Sequence, residues 1–146
     1  MYINKYSMKE FKKEIILKNQ IGELERVNRF VEEIVDDLHL DAELQMNLNL
    51  VMEEMVSNVI FYAYPEGVEA TIELAAECDG RQLKFTLSDG GKAFDPTMKE
   101  DADPNVSPID REIGGMGIYI VKNIMNEVSY QRLEGKNLLT MTKNII

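Results

Sequence analysis

The chain has no tryptophan, one cysteine and one histidine. A lone cysteine, Cys78, excludes an internal disulfide and fits a reducing, cytoplasmic setting. A lone histidine, His39, has no second imidazole or thiol with which to complete a zinc set, and no Ser-His-Asp arrangement can be argued around it. Cations are also short: 16 Lys and Arg stand against 26 Asp and Glu, a formal net charge of -10. That balance argues against nucleic acid or an anionic membrane as the main partner, while leaving room for a local basic pocket. The opening residues lack the apolar core of a secretion signal, and no apolar run is long enough to span a bilayer, so no membrane insertion is expected.

The 146 residues are 45% hydrophobic and 29% charged, which suits one domain with its own core. Residues 12–19 read as a short strand, and Leu24, Val27, Val31, Ile34, Val35 and Leu38 then recur at helical spacing. Asp41 is placed to cap a second helix, which runs to about Tyr64 before Pro65 stops it. Two strands follow around a turn at residues 80–81. Residues 90–114 carry prolines, glycines and charges with little periodicity, a long loop of the kind that tends to be functional. A helix over about residues 116–126 and a strand pair around Gly135 close the chain. Residues 1–11 read as a leader or an extra edge strand, and residues 12–146 as the domain. The expected fold is α+β: a two-layer α/β sandwich with a mixed, mostly antiparallel sheet and helices on one face.

Three stretches interrupt this pattern. In the second helix Glu54 and Asn58 lie four apart, on one face of an otherwise apolar segment. They are either a solvent-facing strip or a carboxylate and a carboxamide aimed into a pocket, where the amide oxygen suits Mg²⁺ and the carboxylate suits proton abstraction. "SDGGKAFDP" follows a strand; Asp89 can accept from an exocyclic amine, and Gly91 lets a flat base approach the backbone. Alone, it is an ordinary strand-ending turn. "GGMGIYIV" crowds Gly114, Gly115 and Gly117 at a helix start, where unpaired N–H groups favour an anion. It matches neither the dinucleotide fingerprint nor the Walker pattern. Asp101, Asp103, Asn105, Ser107 and Glu112 mimic calcium-loop spacing, but Val106 stands where glycine is required.

In this order, Glu54-x-x-x-Asn58, Asp89-x-Gly91-x-x-Phe94-Asp95-Pro96 and Gly114-Gly115-x-Gly117-Ile118-x-Ile120-Val121 resemble the N, G1 and G2 boxes of the GHKL (histidine-kinase-like) ATPase superfamily. Within it the chain is similar to anti-sigma-factor serine/threonine kinases of the RsbW type, over roughly residues 12–143. The resemblance implies a Bergerat ATP-binding fold with a lid over residues 96–113. It implies ATP and Mg²⁺ as cofactors, Asn58 on the metal, Glu54 as base or water-positioner, and Asp89 on the adenine amino group. Gly91 and Phe94 would lie by the base, and Gly114, Gly115 and Gly117 by the phosphates. Arg111 and Lys92 are nearby cations for phosphate charge. Tyr62 stands where many relatives carry a histidine, and packs beside the nucleotide on this reading. The implied partners are a STAS-domain antagonist as phosphorylation substrate, a sigma factor or other regulatory target, and a second copy in a homodimer. The alternative is a non-enzymatic adapter whose lid conformation, set by ATP, governs partner binding.

Overall fold

Side chains alternate between core and solvent along five segments: β1 (Phe11–Lys18), β2 (Thr71–Cys78), β3 (Gln82–Asp89), β4 (Glu127–Leu133) and β5 (Lys136–Asn144). A period of two means that each strand buries one face. In the computed structural model, which describes residues 10–98 and 115–145, these strands form one sheet in the order β1-β2-β3-β5-β4. All four pairings are antiparallel. The sheet expected to be mixed therefore has no parallel pair among the described residues. The physical reason lies in β5. Crossing over through a helix returns β4 in the same direction as β3, but the β4–β5 hairpin inserts β5 between them.

Both hairpins are set by local chemistry. Between β2 and β3, Asp79 Oδ1 accepts from the N–H groups of Arg81 (2.9 Å) and Gln82 (2.8 Å), and Gly80 takes φ +94°. Between β4 and β5, Glu134 and Gly135 both have positive φ, 53° and 79°. That is the backbone a two-residue turn needs to match strand twist.

Three helices, α1 (Leu24–Leu38), α2 (Ala42–Tyr62) and α3 (Gly115–Ile124), supply the second layer. The apolar stripe of α1 buries Val27, Phe30, Val31, Ile34, Val35 and Leu38. It ends on His39 in the left-handed region, with the Leu40 N–H donating to the Val35 carbonyl at 2.9 Å. As expected, Asp41 caps α2, its Oδ1 accepting from the Leu44 N–H at 2.8 Å. The helix stops at Tyr62, two residues before the expected end: Ala63 caps it, its N–H donating to the Val59 carbonyl, and Pro65 disfavours helical backbone at Tyr64. Against these helices the sheet packs Leu17, Ile72, Leu74, Leu83, Phe85, Leu87, Leu139 and Met141, all essentially buried. Each such side chain contributes about 1.5–3 kcal/mol of burial. Because α2 packs against both α1 and α3, it is apolar on most sides. A polar residue on its α3 side therefore sits inside the protein.

Candidate active site

Asn58, where α2 meets the sheet, is inside the protein in the same way. It is 4% exposed, and its Nδ2 is buried without a hydrogen-bond partner. An unpaired buried amide costs on the order of 1–3 kcal/mol, a cost that a ligand can relieve. The two ends of a carboxamide interchange by a half-turn, so the position can offer either a donor or a hard oxygen. One turn earlier, Glu54 faces α3. Burial pushes its carboxyl above the ordinary carboxylate range, and the neighbouring Glu53 charge adds to the shift. A Cβ placed on Gly117 would lie 2.7 Å from Glu54 Oε2 and 3.4 Å from Glu54 Cβ. Gly117 is thus the gap in α3 into which the Glu54 carboxylate fits.

The Asp89 end is built from backbone. An ideal Cβ on Gly91 would lie 2.7 Å from Ala63 Cβ, and closer still to the Ala63 carbonyl oxygen. Without a side chain, residues 90–92 can lie flat against the end of α2. The Lys92 N–H donates to the Ala63 carbonyl at 2.7 Å, and the Gly90 N–H donates to the Tyr64 hydroxyl at 3.0 Å. Asp89, 5% exposed, accepts on Oδ1 from the Gly91 N–H (2.9 Å) and from Asn137 Nδ2 (3.0 Å). Asn137 Nδ2 also donates to the Lys92 carbonyl at 2.8 Å. Its Oδ1 accepts from the Tyr130 hydroxyl (2.5 Å), Arg132 (3.1 Å) and the Phe94 N–H (3.3 Å). Arg132 donates as well to the Gly91 carbonyl at 2.8 Å.

Asn58, Asp89, Phe94, Asn137 and Tyr130 line one cavity between α2 and the sheet, with Met55, Leu87 and Leu139 as its apolar wall. A water-sized sphere finds about 20 Å³ there, room for about one water. That volume is too small for a purine base. Tyr62 stacks on Phe94, with centroids 6.0 Å apart and planes at 26°. A larger open depression of about 500 Å³ beside β1 is lined by Glu10, Glu77, Asp79 and Lys84 among others; its one cation, Lys84, is paired with Glu77 at 2.7 Å, so three carboxylates leave it unsuited to a phosphate.

The structure brings Asn58, Asp89 and Phe94 to one cavity, with Tyr62 stacked on Phe94 and Gly91 bonded to Asp89; Glu54 and Gly117 meet each other at the α2–α3 contact, outside that lining. Lys92 is exposed and enters the site only through its backbone. Gly115 opens α3. Arg111, Gly114, the lid from residue 99 onward and the calcium-like spacing lie outside the described residues, as does the segment before residue 10. The sequence reading missed Asn137, Arg132 and Tyr130. Asn137 left a signal: in "KNLLTMTK" the inward positions 137, 139 and 141 read Asn, Leu, Met, a polar residue on a core-facing register.

The family model of the histidine kinase-like ATPase domain matches residues 17–143. The chain belongs to that family. The serine/threonine-protein kinase BtrW of Bordetella bronchiseptica is 32% identical over 103 residues, 70% of this chain and 72% of that protein. The anti-sigma F factor of Heyndrickxia coagulans is 31% identical over 82% of this chain and 80% of its own length. The serine-protein kinase RsbW of Listeria monocytogenes is 30% identical, with 68% and 65% covered. Among solved structures, the RsbU and RsbW domains of a Mycobacterium tuberculosis protein align over 91% of this chain and 32% of that one, with TM-score 0.62 and 16% identity. A histidine kinase domain of Erythrobacter litoralis aligns at TM-score 0.55 and 18% identity over 84% and 59%. These structures share the α+β fold of this histidine kinase-like domain. No helix among the described residues is long and apolar enough to cross a membrane.

Proposed function

We propose that the chain is an ATP-dependent protein serine/threonine kinase and partner-switching regulator. It binds a sigma factor or another regulatory target and phosphorylates a STAS-domain antagonist. The observation that carries the reading is that buried Asn58 and Asp89 line one cavity, with Glu54 one turn before Asn58 on α2, in a domain whose relatives are named kinases and an anti-sigma factor. Asp89 and the flat backbone at Gly91 receive the adenine. Asn58 would hold Mg²⁺ through its amide oxygen, a hard ligand atom, after a half-turn that brings that oxygen to the position its unpaired Nδ2 occupies. The ion's contribution when bound is to neutralise charge on the phosphate oxygens. Glu54 takes the proton of the partner's serine or threonine hydroxyl as its oxygen bonds to the γ-phosphorus. The bond from that phosphorus to the β,γ-bridging oxygen breaks, and ADP leaves. A carboxylate made more basic by burial is the better proton acceptor for this step.

The test is transfer of labelled γ-phosphate to a STAS-domain protein from the same cell, with wild type and Glu54→Gln. Transfer by wild type, lost in the variant while ATP still binds, supports the kinase. ATP binding without transfer by wild type replaces it with the adapter reading, in which nucleotide only sets partner affinity. The reading also carries a cytoplasmic location and a homodimer, the latter tested by sedimentation with and without Mg-ATP. The charge of -10 speaks against direct contact with nucleic acid.

A further inference from the structure

Asn137 lies across from Asp89 on the neighbouring strand, and its five hydrogen bonds sort cleanly by polarity. Three donors, the Tyr130 hydroxyl, Arg132 and the Phe94 N–H, converge on Oδ1. Two acceptors, Asp89 Oδ1 and the Lys92 carbonyl, converge on Nδ2. A half-turn of the amide would set an NH₂ against two obligate donors, Arg132 and the Phe94 N–H, and an oxygen against two acceptors, so only one orientation is allowed. Asn137 therefore presents a fixed N–H to Asp89. With the Gly91 N–H, this commits both hydrogen bonds of Asp89 to Oδ1, and Oδ2 accepts none among the described residues. We propose that Asn137 is the positioning residue for base selectivity: it holds Asp89 so that Oδ2 is the single free acceptor facing the base cavity. Selection of a 6-amino purine over a 6-oxo purine then depends on a side chain that stands behind Asp89, clamped by Tyr130 and Arg132. The inference rests on the nucleotide reading of this cleft.

Asn137→Asp removes the donor end of the residue. It keeps oxygens for Tyr130, Arg132 and Phe94, and loses the donor to Asp89 and to Lys92. The experiment measures dissociation constants of full-length wild type and variants for ATP and for ITP, which has a 6-oxo group in place of the amine. Wild type is expected to prefer ATP. In Asn137→Asp the ATP:ITP preference falls by roughly ten- to a hundredfold, the scale of a hydrogen bond to a charged group, mainly through weaker ATP binding. Lowering the pH protonates the introduced carboxyl, restores a donor and recovers part of the preference. A merely structural role would weaken both nucleotides alike and leave the preference intact, and that result overturns the proposal. Tyr130→Phe, which removes one donor to Oδ1 and leaves the ring, is the second variant. Its preference is expected to fall severalfold, and an unchanged preference in this variant also counts against the clamp. If wild type binds neither nucleotide, the nucleotide reading itself fails and the proposal with it. If wild type prefers ATP and Asn137→Asp keeps that preference, only the role of Asn137 fails.

Discussion

Gly90 and Gly91 are neighbours of one residue type, both outside the left-handed region, yet the structure assigns them opposite sensitivities. A Cβ on Gly90 meets only the Tyr64 hydroxyl oxygen, at 3.9 Å, an ordinary contact. A Cβ on Gly91 falls 2.7 Å from Ala63 Cβ and 2.8 Å from the Ala63 carbonyl carbon. That obstacle is mostly backbone, at the end of a packed helix, and cannot rotate away. Gly91→Ala must push residues 90–92 off α2, at an overpacking cost of about 1–3 kcal/mol. The displacement also stretches the Lys92 N–H to Ala63 carbonyl bond, worth about 1 kcal/mol. A total of about 2–4 kcal/mol, at about 3–4 °C per kcal/mol for a chain of this size, lowers Tm by about 6–16 °C. Gly90→Ala should change stability by about 0.5 kcal/mol or less, or raise it slightly through the unfolded chain. Thermal and urea unfolding of the pair reads both numbers, and ATP titration of the folded fraction should show weaker binding for Gly91→Ala alone. Equal stability of the two variants would refute the close-approach argument and return Gly91 to a purely nucleotide-facing role.

Three further predictions use the same contacts. Gly117→Ala meets the flexible end of Glu54 rather than backbone; it should cost about 1 kcal/mol or less in unfolding but lower phosphoryl transfer about a hundredfold by moving the carboxylate, with ATP affinity changed far less. Glu54→Gln should stabilise the fold at neutral pH. With the folded carboxyl raised above its ordinary value of 4.5, the folded state binds more protons than the unfolded one between those values, so wild type loses stability as pH rises through that window. The variant's advantage should be absent below the window and complete above it, and an advantage independent of pH would point to another cause. His39→Gly relieves a left-handed residue at the end of α1 (φ 56°); about 0.5–1 kcal/mol of added stability, or about 2–4 °C in Tm, is expected, and a drop would mean that the imidazole holds a contact worth more than the strain.

Several elements were legible because their cause is local. The period-3.6 stripe of α1, the Asp41 cap and the period-2 strands all follow from residues a few positions apart, and they stand within a residue or two of expectation. Glu54 and Asn58 were legible as one face of α2, but whether that face met water or protein depended on α3, which is distant in sequence. Buried Asn58 decides it. The sheet order was not legible: the insertion of β5 between β3 and β4 is set by which edge of β3 the last hairpin covers. Asn137 became part of the site through that same insertion, which places it directly opposite Asp89. Gly91 and Gly117 were read for their backbone freedom toward a nucleotide, whereas the structure also gives each a protein neighbour that requires the missing side chain.

That difference bears on how the cleft works. From Gly90 to Phe94, all but one peptide N–H is tied to a protein acceptor, and the carbonyls of Gly91 and Lys92 are held by Arg132 and Asn137. The turn beyond is tied in its own way, with Thr97 donating to the Asp95 carboxylate through both N–H (2.9 Å) and hydroxyl (2.5 Å), and Lys122 of α3 donating to the Thr97 carbonyl at 3.3 Å. The base end of the site is therefore pre-formed in its acceptors but closed in volume, since the cavity holds about 20 Å³. On the nucleotide reading the cavity has to open to admit a purine, and the turn at Pro96–Met98 is the part of its rim not built on the sheet. Lys122→Met, which cuts the tether from α3 to the turn, should then raise the nucleotide on-rate severalfold with the ATP:ITP preference unchanged. Stopped-flow binding reads the first and equilibrium titration the second; a changed preference would mean that the turn, and not the sheet, holds the selecting groups.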